Sequence, residues 1–129
     1  MNDKTVLVVD DDDAFRTVLA GELSHRGFEV TSAATGAEAL ERVAAAEPKV
    51  VLLDLRLPDA NGIDVLKAIR SRAPAVEVIM LTGHASVESG IQGMQLGAFD
   101  YVMKPVPLDE LLDKMRQAYE RKAMRAHGG

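Results

Sequence analysis

The chain has neither cysteine nor tryptophan among its 129 residues. Without thiols there is no disulfide framework, no thiolate metal site and no cysteine nucleophile. Aromatic residues make up only 4%, so the core must come from Val, Leu, Ile, Ala and six Met. No apolar run approaches the roughly 18 residues that span a bilayer. Met-Asn-Asp-Lys leads directly into a short apolar segment and not into a signal-peptide core. A cytoplasmic protein with no membrane association is therefore expected. Basic side chains are the minority, 15 against 20 acidic, giving a formal charge of −5. That balance argues against direct binding to a nucleic-acid backbone.

What is present is a pattern that changes period again and again. Five short β-rich apolar runs occupy residues 5–9, 29–33, 50–53, 77–81 and 100–103. Val50-Val51-Leu52-Leu53 and Val78-Ile79-Met80-Leu81 are continuous, as suits strands covered on both faces of a parallel sheet. Helical spacing fills the intervals. Phe15, Val18, Leu19 and Leu23 form one stripe, and Gly27 is placed as its left-handed cap. Thr35-Gly-Ala-Glu38 reads as a capping box for a second helix, with Pro48 beyond its end. Ile63, Leu66 and Ile69 mark a third, entered through the turn Asp59-Ala-Asn61-Gly62. A fourth is expected from Ser86, its N-cap, to Gly97, loosened by Gly90 and Gly93 or packed closely through them. The fifth starts at Pro107 and carries Leu108, Leu111, Leu112 and Met115.

Five strand–helix repeats predict an α/β domain, a (βα)5 doubly wound parallel sheet of flavodoxin-like strand order 2-1-3-4-5. One domain is expected, with a core of about residues 4–120 and a basic tail, 121–129, as a helix end or the start of a linker. In such sheets ligands bind outside the carboxyl ends of the strands. Strand 1 ends in Asp10-Asp11-Asp12, strand 3 in Asp54, strand 4 in Thr82 and strand 5 in Lys104. Taken singly, each has a plain structural reading, and Asp12 and Asp13 equally suit a helix N-terminus. Together they place carboxylates, a hydroxyl and an ammonium on one edge. Two carboxylates about 4 Å apart repel by around 4 kcal/mol at an effective dielectric of 20, so a hard dication is expected among them. A carboxylate beside a dication and an ammonium is suited to receiving a phosphoryl group.

The segments Val6–Asp12, Val51–Gly62, Leu81–Gly83 and Gly97–Pro105 resemble, in order and spacing, the receiver domains of bacterial two-component response regulators. They are similar to receivers of enhancer-binding transcription activators and also to stand-alone ones. The resemblance implies that Asp54 accepts the phosphoryl group. It also implies that Asp11 and Asp54 bind Mg²⁺ (or Mn²⁺) directly, with Asp10 acting through water and the Arg56 backbone carbonyl completing the protein ligands. Lys104 and Thr82 would hold the phosphoryl oxygens, Tyr101 would be the switch aromatic, and the Lys104–Pro105 bond would be cis. The implied partner is a sensor histidine kinase or phosphotransfer protein, recognised on the first helix around Arg16, Val18, Glu22 and His25. The output face would be formed by helix 4, strand 5 and helix 5, with a phosphorylation-promoted homodimer among its uses. Arg56 and His84 flank the site and are expected to tune access of water to the phosphoaspartate.

The domain would catalyse its own phosphorylation and dephosphorylation but turn over no separate substrate. The rival reading is a Mg²⁺-dependent phosphatase of the haloacid-dehalogenase type, with Asp10 as nucleophile. A flavodoxin-like cofactor site would need a Ser/Thr/Gly cradle where this chain is anionic. A receiver-like fold that is never phosphorylated would lack one of the key residues, and all are present.

Overall fold

A computed structural model of the protein describes residues 4–83 and 87–128, with the backbone alone at 87 and 126–128. Its strands are β1 (Thr5–Val9), β2 (Glu29–Ala33), β3 (Val50–Asp54), β4 (Glu77–Thr82) and β5 (Asp100–Met103). Its helices are α1 (Asp13–His25), α2 (Gly36–Ala45), α3 (Gly62–Arg72), α4 (Val87–Gln95) and α5 (Leu108–Gly128). All strand pairs are parallel, in the order β2-β1-β3-β4-β5. The expected doubly wound architecture is therefore the one observed.

Alternation along the central strands divides the core in two. Leu7, Val9, Val51, Leu53, Val78 and Met80 face α2, α3 and α4, packing on residues such as Val43, Leu66 and Ile69. Val6, Val8, Leu52, Ile79 and Leu81 face α1 and α5, against Leu19, Leu23, Leu111 and Met115. Every residue of β3 and β4 is buried, which is why both runs are continuously apolar. Besides Thr82 at its carboxyl end, β4 carries one polar residue, Glu77, fully buried and paired with Arg121 and Arg125 of α5.

Loop chemistry fixes where the helices begin and end. Asp12 is the N-cap of α1, its carboxylate accepting the Phe15 N–H at 3.1 Å. Thr35 caps α2 in the same way, while Glu38 reaches back to the Ala34 N–H at 3.0 Å. Asp59 adds a second clamp on that helix from a distant loop, accepting the N–H groups of Gly36 and Ala37 at 2.8 and 3.0 Å. Asn61 caps α3, and Gly27 (φ 91°) follows α1 in the left-handed region.

Boundaries shift by a residue or two from expectation. Asp54 and Thr82 are the last residues of their strands, and Pro107 precedes α5 instead of opening it, its carbonyl accepting the Leu111 N–H. Helix α4 stops at Gln95, with Gly97 (φ 101°) turning the chain beyond it. Ser86 as N-cap lies outside the described residues. The basic tail is helical: α5 continues through Gly128, tied down by the Arg121–Glu77 pair and by Lys122 donating to the Ala75 carbonyl.

Candidate functional site

Strands β1 and β3 are adjacent and parallel, so their carboxyl ends open at the same edge. Asp10 follows β1 and Asp54 closes β3, and both are buried, at 0% and 5% exposure. Asp11 lies beside them in the open. Each of these three offers a carboxylate oxygen, and the three oxygens lie within 4.8 Å of one another. Such a set can hold a metal ion. The oxygen-only, carboxylate-rich donor set suits a hard dication. Charge arithmetic agrees: three carboxylates and one ammonium sum to −2, which one dication neutralises.

That ammonium belongs to Lys104. Its Nζ lies 2.8 Å from Asp10 Oδ2 and 3.2 Å from Asp54 Oδ2, bridging the two buried acids. Lys104 follows β5, and its backbone N–H donates to the Thr82 carbonyl at 2.6 Å, so strand pairing places the lysine. The Lys104–Pro105 bond is cis. Burial raises the Asp54 pKa above the ordinary carboxylate value, and the Asp10 charge adds to the rise. The Arg56 N–H, donating to Asp54 Oδ1 at 3.0 Å, and the Lys104 charge oppose it. Burial works against the charged form of Lys104 too, but the Asp10 hydrogen bond and the two carboxylate charges outweigh it and raise its pKa.

Two residues of α1 that carry no part in the sequence-based site join it. Phe15 presents its ring to the Lys104 ammonium at 4.8 Å, a cation–π contact. Arg16 donates to the Asp10 carbonyl at 2.7 Å and pairs with Asp13, bracing the acidic loop. Of the α1 residues expected around the partner surface, Arg16 is engaged with this loop, while Val18, Glu22 and His25 are exposed. The apolar periodicity had absorbed Phe15 into the core stripe, and only the tertiary approach of β5 to α1 reveals its second contact. Asp12 and Asp13 serve the start of α1, one as cap and one as ion-pair partner.

Thr82 sits at the same edge, 1% exposed, with its hydroxyl donating to the Met103 sulfur at 3.4 Å across β4–β5. It is thus engaged with a weak acceptor and is not bonded to Asp54. Tyr101 is half-buried on β5, packed against the α2–α4 side of the core. A Cβ on Gly90 would lie 3.8 Å from its ring, and the Lys114 ammonium stands 5.7 Å from the ring centre. Gly93 packs still closer on Met80: a Cβ there would come within 2.1 Å of its sulfur. Close packing thus applies to Gly93, chiefly against strand β4 and not a neighbouring helix, whereas a side chain at Gly90 would meet Tyr101 at ordinary contact distance. His84 lies outside the described residues, and Arg56 is exposed.

A double-wound sheet with buried acids at its switch point and a lysine bridging them defines a class of signalling domain. Residues 6–116 match the response regulator receiver domain family, and the chain belongs to it. It is 40% identical over 120 residues to the regulatory protein AtoC of Escherichia coli, covering 93% of this chain and 26% of that protein. It is 40% identical over 115 residues to the acid tolerance regulatory protein ActR of Rhizobium meliloti, covering 89% and 59%. A CheY-like response regulator receiver domain protein from Methanospirillum hungatei superposes with a TM-score of 0.90 at 34% identity, covering 95% of this chain and 98% of that one. The chain thus spans between about a quarter and three-fifths of these curated relatives. Among the described residues no helix is long and apolar enough to cross a membrane. The family match does not support the phosphatase alternative with Asp10 as nucleophile.

Proposed function

We propose that this receiver domain takes a phosphoryl group onto Asp54 and is switched by it. An Asp54 carboxylate oxygen attacks phosphorus, the bond from phosphorus to a phosphohistidine nitrogen breaks, and the departing imidazole retains the electron pair and takes a proton. The single observation carrying this is the Lys104 bridge, an ammonium shared by two buried carboxylates, of which Asp54 is the one less completely covered. Asp11 and Asp54, with Asp10 behind them, are the residues that would hold Mg²⁺ or Mn²⁺, together with the Arg56 carbonyl. Such a cation, when bound, neutralises charge on the transferred phosphoryl oxygens.

Lys104 then exchanges its contact with Asp54 for one with a phosphoryl oxygen, keeping Asp10 as anchor. The Thr82 hydroxyl leaves a thioether, a poor acceptor, for a charged oxygen, a far better one. That rotation vacates space toward which Tyr101 can turn, carrying the signal to α4, β5 and α5. The donor is proposed to be a histidine kinase or phosphotransfer protein seated on the exposed α1 surface, where Val18 stands 65% exposed. Arg56 and His84 are proposed to set how fast water reaches the phosphoaspartate. The unit itself is proposed to be one receiver domain, cytoplasmic, with no nucleic-acid contact of its own.

Acetyl phosphate with Mg²⁺ should add the mass of one phosphoryl group, mapping to Asp54 and absent in Asp54→Ala. Labelling at Asp10, or labelling that survives Asp54→Ala, would overturn the assignment.

A further inference from the structure

Every polar atom of Asp10 has a partner. Its N–H donates to the Ala33 carbonyl at 3.1 Å, its Oδ1 accepts the Asp12 N–H at 2.9 Å, and its Oδ2 accepts the Lys104 ammonium. Its carbonyl accepts Nη1 of the Arg16 guanidinium at 2.7 Å. The backbone N–H of Arg16 donates to the Asp12 carbonyl at 2.9 Å, and its Nη2 pairs with Asp13. Arg16 therefore grips the chain on both sides of Asp11, the one exposed member of the three clustered carboxylates.

This grip depends on the guanidinium shape. A planar fork directs several donors at once, so one side chain spans a carbonyl and a carboxylate, whereas an ammonium is a point charge on a flexible stem. The Arg16 side chain is only 18% exposed and Asp10 is wholly buried, so water is a poor substitute for the bond between them.

Charge and geometry act in opposite directions here. A guanidinium beside the carboxylates repels an incoming dication and so, by charge alone, weakens its binding. By geometry it strengthens binding, because it fixes the backbone that carries Asp11. Groups that orient metal ligands from behind typically matter by roughly 10–100-fold in affinity.

We propose that Arg16 is a positioning residue for the cation site, and that its hold on the Asp10 and Asp12 carbonyls outweighs its repulsion of the metal. This rests on the reading that Asp10, Asp11 and Asp54 hold a dication.

Mg²⁺ titrations of the whole ¹⁵N-labelled chain, followed through the amide shifts of residues 10–13, test this. Arg16→Lys keeps the charge and removes the fork, while Arg16→Met keeps the apolar stem and removes both. Each should weaken Mg²⁺ binding by about tenfold. Hydrogen exchange should quicken at Asp10 and Asp12 while β3 and β4 keep their protection. Charge acting alone would instead make Arg16→Met bind Mg²⁺ more tightly and leave Arg16→Lys unchanged, and either result overturns the proposal. Loss of protection throughout the sheet would also overturn it, by making Arg16 a determinant of the fold. Unchanged Mg²⁺ affinity in both variants, with Asp54 still labelled by acetyl phosphate, would remove this role and leave the phosphoacceptor reading standing. Weakened Mg²⁺ binding in both variants, with no label on Asp54 of the unsubstituted chain, would do the reverse. An unsubstituted chain that binds no Mg²⁺ would overturn the role and the cation site together.

Discussion

Phe15 shows how one side chain can serve packing and chemistry together. Its ring lies against the α1–α5 side of the core while facing the Lys104 ammonium. Cation–π contacts of this kind contribute about 0.5–2 kcal/mol. Phe15→Leu keeps the apolar volume and removes the quadrupole, so acetyl phosphate labelling of Asp54 should slow several-fold while thermal stability changes little. Met103 makes a complementary case, because its sulfur holds the Thr82 hydroxyl at 3.4 Å. Met103→Leu removes that acceptor and should shift Thr82 and Tyr101 resonances of the unphosphorylated protein toward their phosphorylated positions. Identical spectra for the two proteins would show that the sulfur contact exerts no hold. Neither role was legible in sequence. Phe15 fits an apolar stripe and Met103 a strand, and both contacts arise between elements distant along the chain.

At the scale of elements, the loop after β3 is held tightly at Gly62. Gly62 donates its N–H to the Leu55 carbonyl at 3.0 Å, and a Cβ there would come within 2.4 Å of the Leu55 backbone. Backbone cannot swing aside as a side chain can, so Gly62→Ala should destabilise the domain at the upper end of the usual 0.5–3 kcal/mol, roughly, by chemical denaturation. Sequence marked this segment as a turn into α3, and that is what it is. It did not disclose that Asp59 of the same turn crosses to cap α2, since the partner N–H groups lie 22 and 23 residues away. Those two backbone donors lower the Asp59 pKa below the ordinary carboxylate value. A depressed folded-state pKa means the contribution is complete above the unfolded value and is lost as pH falls through the folded one. Carbon NMR of the Asp59 carboxyl should therefore titrate below an unstructured aspartate, and Asp59→Asn should erase that part of the acid sensitivity. A midpoint at the ordinary value would refute the clamp.

Over the whole molecule, buried charge among the described residues is confined to Asp10, Asp54 and Glu77. Apart from Asp54 and Thr82 at their carboxyl ends, the buried central strands β3 and β4 are polar at one position, Glu77, the first residue of β4. That residue binds the last turns of α5 to the start of β4 through Arg121 and Arg125. A charge-assisted hydrogen bond of this kind stabilises by about 1.5–3 kcal/mol. Glu77→Gln should leave the sheet intact and raise hydrogen-exchange rates selectively beyond Tyr119. Uniform loss of protection across the domain would instead make Glu77 a determinant of the global fold. The basic tail gave no sign of this in sequence, where a charge run at the end of a chain reads equally as a solvated helix or a linker.

Local information sufficed for the alternation of strands and helices, the cap at Thr35, the turn from Asp59 to Gly62, the left-handed turn at Gly27 and the residues closing each strand, because periodicity and turn chemistry act over a few neighbours. The parallel order follows almost as directly, since five short strands separated by helices admit few unknotted right-handed windings. Only the folded chain decided that Lys104 bridges Asp10 and Asp54, that Phe15 and Arg16 turn toward the site, and that α5 is tied to the start of β4 through Glu77. Each of these depends on the distance between side chains far apart in sequence, a quantity fixed by how helices settle on a twisted sheet.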